Sequence, residues 1–285
     1  MNDAVRPRRS ALFLPASNAR ALEKARTLPC DVVILDLEDA VAPAQKEAAR
    51  AAAVAAVRGG GFGARELVVR TNAPDTTWGA DDLAALARSG VAAVLLPKVG
   101  SPETLRVARG MVGDGPALWA MIESCDGVLA LREIVAAAPV VGLAALVVGP
   151  NDLARELRCR PGVDRAPLWP ILGQVVLAAR SAGLVALDGV INTLDDIDAI
   201  AAECRQGRDW GFDGKTLIHP AQIAPANAAF GPSVAEVEAA RVLAEAFTGR
   251  EVEGAIRIDG RMVERLHLEE ARRTLALAAA IAERG

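Results

Sequence analysis

Short apolar runs alternate along this chain with amphipathic segments that are rich in alanine. Eight runs have the length and continuity of buried strands, at 11–15, 32–38, 66–71, 92–97, 117–123, 143–149, 184–187 and 214–218. Helical patterns lie between them, for example at 17–28, 43–57, 80–89 and 101–112, and several open with residues that commonly start a helix. Strands that are apolar on both faces are typical of a parallel sheet covered by crossover helices.

The number of these units predicts how the sheet is arranged. Eight β/α units in about 230 residues match a TIM (β/α)8 barrel in count and in length. The rival arrangement is a doubly wound open sheet, which ordinarily carries a glycine fingerprint in its first β/α turn. The corresponding stretch here, Leu14-Pro15-Ala16-Ser17-Asn18, contains no glycine. The pattern therefore favours the barrel.

The regular alternation of strand and helix patterns ends after Phe230. A helical pattern at 233–248 is followed by two short strand patterns, 252–258 and 261–263, around the hairpin-type pair Asp259-Gly260, and by a last helix at about 266–283. We predict a barrel with a metal site over residues 1–231 and a C-terminal hairpin-plus-helix arm over 232–285. Some 50 residues bury too little surface to fold well alone, so we expect this arm to pack on a neighbouring subunit.

Composition narrows the range of partners. The formal net charge is −4 with both signs interspersed, which favours neither nucleic acid nor an anionic membrane surface. The four cysteines form no CxxC pair and are expected to be reduced thiols. No apolar run approaches the roughly 20 residues of a membrane span. We therefore expect a cytoplasmic protein.

Polar residues concentrate where the predicted strands end. In a TIM barrel the C-terminal ends of the strands form the catalytic face. That rule selects an acidic set with a few cations among it: Asp36, Glu38, Asp39, Arg70, Lys98, Glu123, Asp152, Asp188 and His219. Clustered carboxylates repel one another. Keeping several of them ionised at this end of the barrel therefore costs free energy unless a cation binds between them.

A hard divalent ion fits this set best. Mg²⁺ takes one or two carboxylates and leaves its other positions for water and substrate oxygens. Zinc is disfavoured, because the chain has no cysteine pair and only two histidines. Glu123 and Asp152 end adjacent predicted strands and are the candidate ligands of Mg²⁺, or of Mn²⁺. Each taken singly is equally compatible with a structural ion pair, but their occurrence together favours a site.

Arg70 is the candidate partner of an anionic substrate, since a guanidinium binds a carboxylate through two parallel hydrogen bonds. A metal beside an arginine suits a 2-keto or 2-hydroxy acid, and it stabilises charge during carbon–carbon cleavage or enolate attack. Asp36, Glu38 and Asp39 alternate in direction, so one of them is expected to cap the next helix or to pair with Lys46. His219 is as compatible with a packed, hydrogen-bonded residue as with a base.

Seven segments spread in order over nearly the whole chain carry a family resemblance. They are Ser10-Ala11-Leu12-Phe13-Leu14-Pro15, Val33-Ile34-Leu35-Asp36-Leu37-Glu38-Asp39-Ala40-Val41, Val69-Arg70-Thr71-Asn72, Leu96-Pro97-Lys98, Ile122-Glu123-Ser124, Gly149-Pro150-Asn151-Asp152-Leu153 and Gly214-Lys215-Thr216-Leu217-Ile218-His219-Pro220. The sequence resembles the citrate lyase β-subunit and malyl-CoA lyase family of the HpcH/HpaI aldolase superfamily, whose members are Mg²⁺-dependent TIM-barrel lyases.

The resemblance implies that Glu123 and Asp152 bind Mg²⁺ and that Arg70 and Glu123 contact the substrate. The implied reaction is the cleavage of a citramalyl-, malyl- or citryl-CoA-like β-hydroxyacyl thioester to a 2-keto acid and an acyl-CoA, or its reverse. It also implies a homotrimer or hexamer in which the arm reaches over a neighbour's site. Arg8, Arg9, Arg20 and Lys24 near the first β/α loop are candidate cations for the phosphates of coenzyme A.

One departure from the family pattern concerns the arm. Relatives of malyl-CoA type carry a catalytic aspartate in a Gly-x-Met-Ile-Asp run, whereas this chain reads Gly260-Arg261-Met262-Val263-Glu264. Glu264 is therefore the predicted acid/base residue, with one additional methylene. Proton transfer depends closely on reach, so this change bears on which reaction the site performs.

Three other functions remain open at this point. The same site suits an aldolase that cleaves a free 4-hydroxy-2-keto acid without coenzyme A, and it also suits an acyl-CoA thioesterase. A third possibility is a β-subunit-like component that is active only in a complex with an acyl-carrier protein.

Overall fold

Eight parallel strands close into a barrel in the computed structural model of the chain, which describes residues 5–248, 254–258 and 261–284. The strands are β1 (Ser10–Pro15), β2 (Val32–Asp36), β3 (Glu66–Arg70), β4 (Ala93–Leu96), β5 (Ala117–Ile122), β6 (Leu143–Val148), β7 (Val185–Asp188) and β8 (Gly214–Leu217). Each strand pairs with the next, and β8 pairs with β1 to close the ring. The predicted TIM barrel is confirmed.

Helices follow the strands and cover the barrel from outside. They are α1 (Ala19–Ala25), α2 (Lys46–Gly59), α3 (Gly79–Leu86), α4 (Pro102–Val112), α5 (Cys125–Leu129), α6 (Leu131–Ala136), α7 (Ala138–Val141), α8 (Pro150–Glu156), α9 (Trp169–Ser181), α10 (Ile197–Asp209) and α11 (Ile223–Phe230). The alanines of α2 show how they pack, because Ala49, Ala53 and Ala56 recur along one face of that helix and are buried.

Apolar side chains of alternating size fill the barrel interior. Ile34, Leu95, Val147 and Leu187 are fully buried there, together with Trp119, the largest fully buried side chain in the described residues. The interior is thus a packed core rather than a channel, as is typical of this fold. The polar chemistry is consequently confined to the ends of the strands.

Several strands end one or two residues before the predicted positions. Strand β2 ends at Asp36 rather than Glu38, because the Asp36 carboxylate accepts hydrogen bonds from the backbone N–H groups of Glu38 and Ala40. Similarly, β5 ends at Ile122 and β6 at Val148. Glu123 and Gly149 therefore belong to the loops that begin the catalytic face.

The chain divides into two compact units. One is Arg8–Asn227, which contains the barrel strands, and the other consists of the described residues within Met1–Pro7 and Ala228–Gly285. The second unit contains α12 (Val234–Ala246), the antiparallel pair β9 (Ala255–Ile258) and β10 (Arg261–Glu264), and α13 (Arg265–Ala282). Its small core is built on Phe247 and Leu268.

The elements of the C-terminal unit agree with the predicted hairpin and helices, while the predicted turn pair Asp259-Gly260 lies outside the described residues. The packing of the arm on a neighbouring subunit stays a prediction. Within the described part of the chain, no helix is long and apolar enough to cross a membrane.

Candidate active site at the C-terminal ends of the strands

A cavity of about 330 Å³ opens at the C-terminal ends of the barrel strands. Five of the predicted site residues line it, namely Asp36, Asp39, Arg70, Glu123 and Asp152. The remaining walls are largely apolar and come from loops and strand ends around the ring: Phe13, Ala40, Met121, Val148, Gly149, Pro150, Asn151, Val190, Thr216 and Ile218. A mostly apolar pocket with a few convergent polar groups is the usual form of a small-molecule site.

Arg70, the last residue of β3, is held rigidly at the wall of this cavity. Its Nε and Nη2 atoms each donate to a different oxygen of Asp36, both at 2.7 Å. Its guanidinium carbon lies 4.8 Å from the centre of the Phe13 ring. Burial alone would lower the pKa of Arg70, but the hydrogen bonds and charge of Asp36 outweigh it and raise that pKa. Arg70 is thus fixed and permanently charged, which are the properties that binding of an anion requires.

Lys46 fixes the turn that follows β2 through three hydrogen bonds. The buried ammonium of Lys46 donates to the carbonyl oxygens of Leu37 and Glu38, both at 2.9 Å, and to Oδ1 of Asn72 at 2.6 Å. The sequence suggested Lys46 as a partner for a carboxylate, yet its described partners are two backbone carbonyls and a side-chain amide. The capping carboxylate is instead Asp36, which binds within its own turn.

Glu38 is buried and lies between two cations. Its Oε1 accepts a hydrogen bond from the Lys98 ammonium, and its Oε2 lies 3.0 Å from Nη1 of Arg70. Despite that short distance, Oε2 is buried and has no hydrogen-bond partner among the described residues, because the approach to Arg70 is poorly aligned. Burial raises the pKa of Glu38, and the charges of Arg70 and Lys98 offset only part of that rise.

Lys98 contacts both Glu38 and Glu123. Its backbone is left-handed, with φ of 51°, which is uncommon for a residue with a side chain. In that conformation its N–H donates to Oε1 of Glu123 at 2.7 Å. Burial would lower the pKa of Lys98, but the hydrogen bond and charge of Glu38 raise it above its usual value. The strained backbone thus lies in contact with a candidate metal ligand, where such strain tends to cluster.

Gly149 lies beside Glu123 and leads into the helix that carries Asp152, and all three residues line the cavity. A side chain at Gly149 would collide with Glu123, because its Cβ would lie 2.6 Å from Oε2 of that carboxylate. Asp152 lies one turn into α8, which begins directly after Gly149, and its Oδ1 is 2.6 Å from Nη2 of Arg155. Burial and then the charge of Glu38 raise the pKa of Glu123 to about 7, with a further contribution from Asp152.

This donor set fits a hard divalent ion. Within the described residues no group of three or more His, Cys, Asp or Glu side chains forms a complete metal cage. Two carboxylates are nevertheless the usual protein contribution to Mg²⁺, which completes its shell with water and substrate oxygens. Burial and the nearby charge of Glu38 raise the pKa of Glu123, and a bound cation would offset the cost of its charged form. Glu123 and Asp152 would be the residues that hold the ion.

Four predicted residues lie elsewhere. Asp188 ends β7 but is fully buried on Lys215 and Arg165 rather than facing the cavity. His219 is exposed rather than packed, and its Nδ1 accepts from the N–H of Ala221, so it caps a turn. Arg8 and Arg9 precede β1 and bind Glu66 and Asp31 at the beginnings of β3 and β2. They lie at the opposite end of the barrel, which contradicts their assignment to coenzyme A.

Glu264 ends β10 in the C-terminal unit. Its side chain is exposed, and its backbone N–H donates to Nδ1 of His267 at 3.1 Å. An exposed carboxylate at the start of a helix is available for contact with a ligand. Its assignment as the acid/base residue stays a prediction.

Sequence reasoning did not select the apolar walls. Phe13 and Met121 both contact Arg70, and Val148 and Val190 line the cavity beside the predicted carboxylates. Phe13 and Met121 belong to strands, and the inward-facing residue nearest the C-terminal end of a barrel strand is the signal that could have identified them.

A closed eight-stranded barrel with an acidic, arginine-containing cavity at the C-terminal ends of its strands is the architecture of a TIM-barrel enzyme. The chain belongs to the HpcH/HpaI aldolase/citrate lyase family, whose model matches residues 9–220. The resemblance stated from the sequence is therefore confirmed.

Relatives cover nearly the whole chain. A (3S)-malyl-CoA thioesterase of Cereibacter sphaeroides is 47% identical over 278 residues, which are 97% of this chain and 96% of that protein. Citrate lyase subunit beta of Escherichia coli K12 is 34% identical over 286 residues, covering 96% and 94% of the two chains. CitE from Mycobacterium tuberculosis, crystallised with magnesium, acetoacetate and coenzyme A, superimposes with a TM-score of 0.76 at 32% identity, covering 95% and 97%.

Proposed function

We propose that this chain is a Mg²⁺-dependent hydrolase of a (3S)-malyl-CoA-type thioester. The observation that carries the proposal is the 47% identity, over almost the full length of both chains, to proteins named as (3S)-malyl-CoA thioesterases. The cavity is consistent with this substrate class, because it combines a fixed arginine with two carboxylates suited to a hard cation.

The side chains have distinct parts in this proposal. Arg70 binds the carboxylate of the malyl group, and Glu123 and Asp152 hold the ion. When bound, Mg²⁺ supplies a Lewis acid for the substrate oxygens. Phe13, Met121 and Val148 restrict bulk water around the bound acid. In hydrolysis, the oxygen of one water bonds to the thioester carbonyl carbon, the carbon–sulfur bond breaks, and sulfur receives a proton. The products are a free 2-hydroxy acid and coenzyme A.

Carbon–carbon cleavage is the second candidate, and the citrate lyase relatives favour it. The same arginine and carboxylates suit a retro-aldol reaction that gives a 2-keto acid and an acyl-CoA. That reaction requires a proton donor for the enolate carbon, for which Glu264 is the candidate. Its additional methylene relative to the family aspartate changes the reach of that donor, and this favours hydrolysis over cleavage.

The two reactions give different products from one substrate. Purified protein would be incubated with (3S)-malyl-CoA and Mg²⁺, with malate and free thiol measured in one sample and glyoxylate and acetyl-CoA in another. Hydrolysis yields malate and thiol in equal amounts without glyoxylate. Cleavage yields glyoxylate and acetyl-CoA without malate.

Two controls make the assay decisive. Removal of the metal with a chelator is expected to stop product formation, and addition of Mg²⁺ is expected to restore it. Full activity of the lone chain on coenzyme A thioesters would eliminate the alternative that needs an acyl-carrier protein. Folded protein that forms neither set of products would contradict both candidate reactions.

A further inference from the structure

Only part of the Arg70 guanidinium is available to a ligand. A guanidinium has five N–H groups, and Asp36 accepts from Nε and from one N–H of Nη2. The outer edge is formed by Nη1 and the second N–H of Nη2. Its other contacts are long, since Nη1 donates to Sδ of Met121 at 3.8 Å and lies 3.8 Å from Oδ2 of Asp39, so this is the edge left for a substrate carboxylate. This is the edge that Glu38 approaches, since its Oε2 lies 3.0 Å from Nη1.

Glu38 is therefore a competitor for the position of the substrate's carboxylate. Its turn cannot withdraw, because Lys46 holds the carbonyl oxygens of Leu37 and Glu38 while Asp36 caps the turn from inside. Glu38 can thus leave Arg70 only by rotation of its side chain. Its Oε2 is short of a hydrogen bond, so a well-aligned contact with Arg70 would be favourable for Glu38 and unfavourable for ligand binding.

Lys98 opposes that movement. Its ammonium binds Oε1 of Glu38, whereas Oε2 is the oxygen near Arg70, and the Lys98 side chain is 46% exposed. Its backbone is fixed by the N–H bond to Glu123. The backbone of Lys98 is therefore held in place while its ammonium binds Glu38.

We propose that Lys98 is a positioning residue that keeps Oε2 of Glu38 out of an aligned hydrogen bond with Arg70 and so leaves the outer edge of Arg70 to the substrate's carboxylate. This inference rests on the proposed function, because it takes the ligand of Arg70 to be the carboxylate of a 2-oxygenated acid. It predicts that the loss of Lys98 harms ligand binding only while Glu38 is charged.

The test measures the affinity of the protein for pyruvate in saturating Mg²⁺ by isothermal titration calorimetry. Lys98→Gln is expected to weaken pyruvate binding about tenfold, because one charge-assisted interaction is then lost to Glu38. Lys98→Arg, which retains the cation, should bind pyruvate within about threefold of wild type. Glu38→Gln alone should bind pyruvate at least as tightly as wild type.

The double variant Lys98→Gln/Glu38→Gln distinguishes this role from a structural one. Its affinity for pyruvate is expected to return to that of wild type, because the competing charge is gone. Mg²⁺ affinity without pyruvate should not fall in Lys98→Gln, because the loss of a positive charge near Glu123 does not disfavour a bound cation. A backbone distortion around Lys98 would instead weaken Mg²⁺ binding through Glu123, and Glu38→Gln would not reverse it.

Arg106→Gln supplies the matched control for loss of one positive charge. Arg106 forms an exposed pair with Glu103 on α4, away from the cavity, and its loss should leave pyruvate affinity unchanged. Wild-type affinity in Lys98→Gln, or a loss that Glu38→Gln does not restore, would overturn the inference while leaving the proposed function in place. Failure of the wild type to bind pyruvate or any other 2-oxygenated acid with Mg²⁺ would contradict the proposed function and the inference with it.

Discussion

Two groups of buried charges lie at the same end of the barrel and differ in how completely they are paired. The mouth cluster consists of Asp36, Glu38, Arg70, Lys98 and Glu123. The β7–β8 cluster consists of Arg165, Asp188, Glu203 and Lys215. In the second cluster Asp188 and Lys215 are both fully buried, and they lie 2.9 Å apart.

The β7–β8 cluster leaves no charge without a partner of opposite sign. Arg165 donates to both oxygens of Asp188, and Lys215 also binds Glu203 at 2.7 Å. Burial would raise the pKa of Asp188, but the charges of Lys215 and Arg165 outweigh it and lower that pKa below its usual value. Such a cluster holds the chain together without offering anything to a ligand.

The mouth cluster is incomplete by comparison. Glu38 has a buried oxygen without a hydrogen bond, and the pKa of Glu123 is raised to about 7. Carboxylates whose pKa is perturbed in this direction inside a cavity are typical of functional sites. The mouth cluster has fewer cations than carboxylates, whereas the β7–β8 cluster has equal numbers. This deficit of positive charge, rather than the number of buried charges, distinguishes the candidate ligand site from the structural cluster.

The largest expected effect is on the stability of the fold and concerns the β7–β8 cluster. Lys215→Met leaves Asp188 and Glu203 without their shared lysine, and it is expected to cost about 3–5 kcal/mol of unfolding free energy. Urea denaturation followed by circular dichroism measures this loss. The control is Arg241→Met, which breaks an exposed pair with Glu238 and should cost less than about 1 kcal/mol. Equal stability of the two variants would show that the β7–β8 cluster is not structural.

The next effect concerns the metal. Glu123→Gln retains an acceptor for the Lys98 N–H but removes the charge, and it is expected to lower the Mg²⁺ affinity by at least about 100-fold. Titration calorimetry with Mg²⁺ or Mn²⁺ measures the change. Glu103→Gln, at an exposed carboxylate on α4, is the matched control and should bind the metal like wild type. Unaltered affinity in Glu123→Gln would remove this residue from the metal site.

Replacement of the arginine should have a smaller effect. Arg70→Lys keeps the positive charge but cannot bind Asp36 through two hydrogen bonds while it also binds a ligand. Pyruvate affinity in saturating Mg²⁺ is expected to fall about 10- to 100-fold, and Mg²⁺ affinity alone should not change. Arg106→Lys on α4 serves as the control. A variant that binds pyruvate as tightly as wild type would argue that another group binds the carboxylate.

The smallest expected effect is on the stability of the metal-free protein. Neutralising a carboxylate should change the free energy of unfolding in opposite directions in the two clusters. The pKa of Glu123 is raised, so its charged form destabilises the fold, and this penalty grows as the pH rises from its unfolded pKa of about 4.3 to its folded value. Glu123→Gln should therefore stabilise the metal-free protein by about 1–2 kcal/mol at about pH 8 and by almost nothing at about pH 4.

Asp188 behaves in the opposite way because its folded pKa is lowered. Its contribution to stability is fully present above its unfolded pKa of about 3.9 and is lost as the pH falls from there through the folded pKa. Asp188→Asn should thus be destabilised at neutral pH, whereas Glu123→Gln is not. Thermal unfolding across pH measures both variants, and destabilisation of Glu123→Gln at high pH would contradict the assigned pKa.

The periodicity of the sequence predicted all eight barrel strands, because each is a continuous apolar run and that signal depends only on local composition. The rule for strand ends also brought Arg70, Glu123 and Asp152 correctly to one cavity. It could not separate Asp36 and Glu123 from Asp188, since all three follow or end a buried strand. Asp188, for example, is held by Arg165 and Lys215, which are distant in sequence and whose contacts are set only by the tertiary structure.

Gly149 has a consequence for capturing the substrate complex. Because a side chain there would displace the Glu123 carboxylate, Gly149→Ala acts on the metal ligands without touching Arg70 or its Asp36 partner. Such a variant separates recognition of the anion from activation by the ion. Under the proposed function, Gly149→Ala is expected to act as a trapping mutant, in which an intact thioester stays on Arg70 and can be observed before it reacts.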